Sequence, residues 1–253
     1  MRPPTKRLAR IAGLGVLALA VAGGVLWFLL DDAESRGPLI QGKPVAYWTR
    51  QLRVAVVDPD VISTLASDKA VAVPALLRQL SLPDSRAKEV AKGLWRRLPP
   101  MLRARVPEPT TRAELRARAA FVLIVIFHNE FFEPAAPTLA EAQMMLPALT
   151  RALQDRDVNV RLFATVALGN LGVISAPAIE SCDIALKDPN WGVRANAVHA
   201  LGRLAKSDER AIPYLKSALT DSHLGVSKQA AEQLKLLGIA PPRDDAPSAT
   251  EAE

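Results

Sequence analysis

Three stretches of the chain carry the same succession of apolar and polar positions. They read DRDVNVRLFATVALGNLG over 155–172, DPNWGVRANAVHALGRLA over 188–205 and DSHLGVSKQAAEQLKLLG over 221–238. Asp155, Asp188 and Asp221 stand 33 residues apart, as do Val160, Val193 and Val226, Ala164, Ala197 and Ala230, and Leu168, Leu201 and Leu234. Within the first stretch Val160, Ala164, Ala167, Leu168 and Leu171 follow helical spacing and fall on one face. A shorter helix is predicted before each, carrying Leu149 and Leu153 from Pro147 onward, Cys182 and Leu186, then Leu215 and Leu219 from Pro213 onward. Proline suits a first helical turn, where its missing N–H costs nothing. The Asp-containing turns supply side-chain acceptors for the second helices, and Gly172 and Gly238 stand where C-terminal caps are expected. A fixed period of this size means stacked helical units.

Weaker units lie upstream. Residues 71–98 read as a Pro-led short helix, an Asp turn and a second helix. Residues 112–127 read as another second helix, whose apolar run AAFVLIVIF is far too short to span a membrane and belongs in a core. Residues 42–52, GKPVAYWTRQL, predict a short capping helix. The solenoid is placed at 60–238, about four to five units, with clear repeats at 147–172, 177–205 and 211–238. Residues 239–253 are Pro-rich and acidic, the composition of a disordered tail.

The N-terminal pattern is different. Residues 11–30, IAGLGVLALAVAGGVLWFLL, hold no charge over the length that crosses a bilayer. Arg2, Lys6, Arg7 and Arg10 precede the run, and Asp31, Asp32 and Glu34 follow it. Basic residues stay on the cytoplasmic side. The expected topology is a cytoplasmic segment 1–10, an anchor 11–30, a linker with capping helix 31–59, and the repeats outside the cytoplasm, in the periplasm of a bacterium. A signal peptide cleaved after Ala20-Val21-Ala22 is the alternative, although the apolar run continues past that point.

Composition agrees with helix. Hydrophobic residues make up 49% and aromatics 5%, and no alternating strand pattern is sustained. The expected fold is all-α. One cysteine, Cys182, excludes an internal disulfide and a Cys-based zinc cluster.

The pattern D-x4-V-R-x2-A-x2-A-L-G-x-L resembles the bacterial HEAT repeats, including the short HEAT-like repeats of the phycobilisome lyase class. Asp155 with Arg161 and Asp188 with Arg194 match that family's Asp and Arg positions, whereas Ser227 stands where the third Arg is expected. The resemblance implies an α-solenoid in which Asp and Arg of successive units bridge the turns and second helices line a concave binding surface. The Gly-x-Pro-x-x-x-Trp segment at 42–48 resembles one that precedes such repeats in some membrane-anchored HEAT proteins.

Candidate chemistry is sparse. His128, His199 and His223 share no ligand spacing, and neither a phosphate-binding loop, a nucleophile elbow nor a zinc-protease motif occurs. Cys182 aligns with Leu149 and Leu215 and reads as a small buried apolar residue. No cofactor is expected. Two surfaces remain. The outward strip of the second helices offers Leu162, Val166, Trp191, His199, Arg203 and Lys228, with Gly169 and Gly202 on the same strip. Residues 86–118 hold ten basic and three acidic side chains, and Arg96, Arg97, Arg103, Arg105, Arg112 and Arg116 make a candidate patch for an anionic partner. The expected topology disfavours nucleic acid and favours an anionic lipid, polymer or protein. The expected function is a non-catalytic, membrane-anchored scaffold for another protein. An accessory lyase or enzyme-assembly factor of the HEAT-like class and an anionic-ligand binder are the alternatives.

Overall fold

The computed structural model of the protein describes Gly23 and residues 37–52, 58–127 and 136–240. The apolar run 11–30 lies outside the described residues apart from Gly23, as do His128 and the tail beyond residue 240. Among the described residues no helix is long and apolar enough to cross a membrane. The chain divides into two compact units, one ending at Arg118 and one beginning at Ala119.

The first unit opens on a feature absent from the all-α expectation. Strands β1 (Leu39–Ile40) and β2 (Lys43–Pro44) pair antiparallel. Gln41 and Gly42 between them take φ of 49° and 71°, the positive values that a two-residue primed hairpin turn requires. Two residues per strand are too few for a period-two pattern to register. Helix α1 (Val45–Gln51) follows, and its Trp48 Nε1 donates to Ile40 O at 3.1 Å, pinning helix to hairpin. Helices α2 (Pro59–Ser67) and α3 (Lys69–Leu80) begin at Asp58 and Asp68, whose carboxylates accept backbone N–H groups of the first turn. Gln79 of α3 donates to Thr49 of α1 at 3.0 Å inside a core of Ile62, Leu65 and Leu76. Helices α4 (Arg86–Arg97), α5 (Pro100–Arg103) and α6 (Arg112–Phe127) follow.

The second unit contains three helical hairpins. Helix α7 (Leu139–Ala152) pairs with α8 (Val158–Leu168), α9 (Ser175–Leu186) with α10 (Trp191–Leu204), and α11 (Ile212–Ser217) with α12 (Leu224–Leu236). The second helices α8, α10 and α12 pack side by side in series. The repeated positions Val160, Ala164, Leu168, Val193, Ala197, Leu201, Val226, Ala230 and Leu234 are all completely buried. An all-helical α-solenoid is the resulting architecture.

Local details depart from the expected grammar. Helix α7 begins at Leu139, where Thr138 and Glu141 form a reciprocal capping box, so Pro147 lies inside the helix rather than at its start. Pro74 likewise lies inside α3, whereas Pro213 occupies the first turn of its helix. Gly238 does end α12: with φ of 75° it donates to Lys235 O, and Ile239 donates to Leu234 O, which closes a Schellman motif. Gly172 instead opens a 3-10 turn over Gly172–Ile174 and has no positive φ.

Candidate interaction surface

The turns of the second unit are built twice over from side-chain acceptors. Asp155, Asp188 and Asp221 each accept a backbone N–H two residues on, from Asp157, Asn190 and His223, at 2.8–2.9 Å. Those three residues are the N-caps of α8, α10 and α12, and their side chains accept the first free N–H groups of the helices. The carboxylates of Asp188 and Asp221 each take a second partner as well. Arg161 donates Nε and Nη2 to both oxygens of Asp188, at 2.7 and 3.2 Å. Arg194 does the same to Asp221, at 2.7 and 2.9 Å. The remaining nitrogen of each guanidinium turns back to its own unit, to Asp155 O and Asp188 O respectively. Each arginine thus ties two successive hairpins through a two-point charged hydrogen bond. Ser175 adds a third cross-unit bond, donating to Asp208 at 2.7 Å.

The opposite ends of the second helices approach through glycine. A Cβ on Gly169 would stand 2.9 Å from Ala200 Cα, and one on Gly202 would stand 2.0 Å from Gln233 Oε1. Gly169 and Gly202 are buried at these contacts. Their expected place on the outward strip is corrected: Gly169 lies against the Ala200 backbone and Gly202 under the Gln233 side chain of the next second helix.

The strip itself is anchored by an aromatic pair. Trp191, the first residue of α10, stacks flat on His223, the N-cap of α12, with ring centres 4.4 Å apart and planes 3° from parallel. His223 Nδ1 meanwhile accepts Gly225 N at 3.2 Å, and Gly225 lies against the edge of the indole. Leu162 of α8 lies over Gly192 in the same manner, so glycine at this repeat position admits a large side chain from a neighbouring unit. Even stacked, Trp191 keeps 52% of its surface exposed, and Leu224 beside His223 keeps 64%. Trp191 and Leu224 thus form an exposed apolar and aromatic spot that bridges two hairpins. Of the other candidates, His199 and Lys228 are exposed, while Leu162, Val166 and Arg203 are half-buried. Burial lowers the Arg203 guanidinium from its ordinary value. His223 and Leu224 were not singled out in the sequence, although the 33-residue register already sets residue 223 beside 190 and 191.

Residues 146–235 match the protein family described as HEAT repeats. Those residues form a HEAT repeat domain. Among solved structures, one titled as the crystal structure of an engineered protein is similar at 18% identity, covering 78% of this chain and 98% of that chain with a TM-score of 0.36. No curated protein matches the chain.

Inside the HEAT repeat domain Cys182 is fully buried, and burial pushes its thiol up to about 12. A thiol so placed carries no thiolate at neutral pH. Among the described residues no group of His, Cys, Asp and Glu is arranged to hold a metal ion.

The basic segment of the first unit is less uniform than its charge count implies. Arg116 is buried, donating to Asp84 at 2.7 Å and to Leu82 O at 2.9 Å. It ties a turn, as Arg161 and Arg194 do, and its expected place in an exposed patch is corrected. Arg112 is half-buried at the start of α6. Lys92 is buried and paired with Glu114 and Glu108. Arg96, Arg97, Arg103 and Arg105 are exposed, and the Arg103 guanidinium lies 5.9 Å from the Trp95 ring centre.

Proposed function

We propose that the protein is a non-catalytic, membrane-anchored scaffold that presents its HEAT repeat domain outside the cytoplasm and binds another protein there. HEAT repeats suit protein–protein binding. The single observation that carries the reading is the Trp191–His223 stack, a large aromatic ring left half-exposed across two successive hairpins. Aromatic rings held rigidly at a surface cost little entropy on binding and dominate interface energies. The anchor is supported by the uncharged run 11–30 and its basic-then-acidic flanks. The inert Cys182 supports a scaffold over an accessory lyase.

A photo-crosslinking residue at position 191, compared with one at exposed Leu139, tests the scaffold. The expected result is a discrete partner captured from membranes at 191 and lost when Lys228 and His199 are replaced by alanine. Equal capture at both positions overturns it. A reporter active only outside the cytoplasm, fused to the C-terminus, tests the topology, and its inactivity overturns the orientation.

The four exposed arginines at 96, 97, 103 and 105 favour a second activity, the holding of an anionic component of the envelope.

A further inference from the structure

Helix α4 is amphipathic with its faces reversed. Its lysines point into the protein, where Lys88 and Lys92 are 8% and 6% exposed. Lys92 is held there by Glu114 of α6 and by Glu108. Its apolar residues point out: Val90 is 60% and Leu94 58% exposed, four positions apart and so one above the other on the helix. Met101, at the start of the following turn, is 79% exposed. Nothing but open space surrounds Gly93 between them. Arg96, Arg97 and Arg103 are exposed around this apolar stripe. The acidic side chains near it are Glu89, exposed on the same helix, Asp84, bonded to Arg116, and Glu108, bonded to Lys92.

A soluble protein places such a helix the other way round, stripe inward and cations outward. A strong apolar stripe with low overall hydrophobicity and a rim of arginines is the composition of helices that lie in the plane of an anionic bilayer surface. Chain length adds a second argument, which rests on the anchor reading given above. Eight residues separate Leu30, the last of the apolar run, from Leu39 in β1, and the nine residue steps between them reach at most about 30 Å when extended. If 11–30 spans the bilayer, the first unit is leashed against its surface. We propose that α4 and the turn after it form an interfacial membrane-docking element, in which Val90, Leu94 and Met101 enter the headgroup region and Arg96, Arg97 and Arg103 meet anionic lipid headgroups.

The test uses the full chain in vesicles of phosphatidylcholine alone or mixed with phosphatidylglycerol. Leu94→Cys and, as a control on the second unit, Leu224→Cys carry an environment-sensitive fluorophore; buried Cys182 does not label. Lipid-borne quenchers at headgroup depth are expected to quench the probe at 94 only in anionic vesicles, with the probe at 224 unaffected. High salt abolishes that quenching, since the attraction is screened. Each basic residue near an anionic surface is worth about fivefold in partition, so Arg96→Glu with Arg97→Glu weakens docking by at least about 25-fold. The helical circular dichroism of that variant must be unchanged. Quenching at 94 that ignores lipid charge or salt overturns the proposal, as does equal quenching at 94 and 224. If an acidic protein covers this face instead, protein-free vesicles leave the probe in water, and the proposal falls. Alkaline extraction decides the anchor separately. A chain stripped by carbonate refutes the span, and docking of α4 is then read from flotation of the same chain with the same vesicles.

Discussion

Asp188→Ala is expected to unlatch the first two hairpins of the HEAT repeat domain. The carboxylate accepts three bonds, two from Arg161 and one from Asn190 N. Both side chains are nearly out of solvent, Arg161 at 14% and Asp188 at 6% exposed. Removing one member of a buried pair costs about 3–5 kcal/mol, because the partner charge stays buried. Arg161 keeps the carbonyls of Asp155 and Arg156 at 2.8 and 3.3 Å, so the lower end applies, about 3 kcal/mol. In a domain of about a hundred residues that lowers the melting temperature by about 12–24 °C. Thermal melts followed by circular dichroism read it. The double variant Arg161→Met with Asp188→Leu removes both charges and is expected to recover about 2 kcal/mol of the loss. A single variant that melts within a few degrees of the parent refutes the reasoning, as does a double variant whose loss equals the sum of its parts.

Three further outcomes follow from the same contacts. Gly169→Ala drives a methyl into Ala200 backbone at 2.9 Å, and overpacking of about 1–3 kcal/mol outweighs the helical gain over glycine; Gly202→Ala meets only the flexible end of Gln233 and is expected near neutral in the same melts. Hydrogen bonding from Arg194 holds the Asp221 carboxyl below its ordinary value despite partial burial. Its stabilisation is therefore complete above the unfolded value of about 4 and lost as pH falls through the lower folded one, so the melting temperature is expected to be flat near neutrality and to drop in acid, less steeply in Arg194→Met. Cys182 is expected to resist a thiol reagent in the native protein and to react in denaturant; rapid native reaction overturns its buried placement.

The period, the hairpins and the buried stripe were legible in the sequence because burial selects residue type: Val160, Ala164 and Leu168 recur because nothing larger or polar fits there. The Asp–Arg ties were legible only through the family resemblance, since spacing alone does not say that Arg161 skips its own Asp155 side chain for Asp188. What escaped depends on relations between helices. The outward-seeming glycines are contact points only once a neighbouring helix is present, and Arg116 reads as a surface cation until Asp84 and Leu82 close over it. The reversed polarity of α4 was hidden for the same reason: a period reveals that a helix has two faces, and the acids that draw its lysines inward lie outside it.

The two edges of the HEAT repeat domain are held by different forces. At the start of α8 and α10 the neighbours are joined by charge, through Arg161 and Arg194. Towards their ends they meet in close contact, at Gly169 against Ala200 and Gly202 against Gln233, with the Ser175–Asp208 hydrogen bond in the turns beyond. Acid weakens the arginine–carboxylate ties of the first edge and leaves the glycine contacts of the second in place. The hairpins are then expected to open like pages about a glycine spine, with the gap widest at the edge that carries Trp191. A partner that gripped that tryptophan would hold the movable margin of the stack, and its affinity would then be coupled to the curvature of the domain through the same arginines.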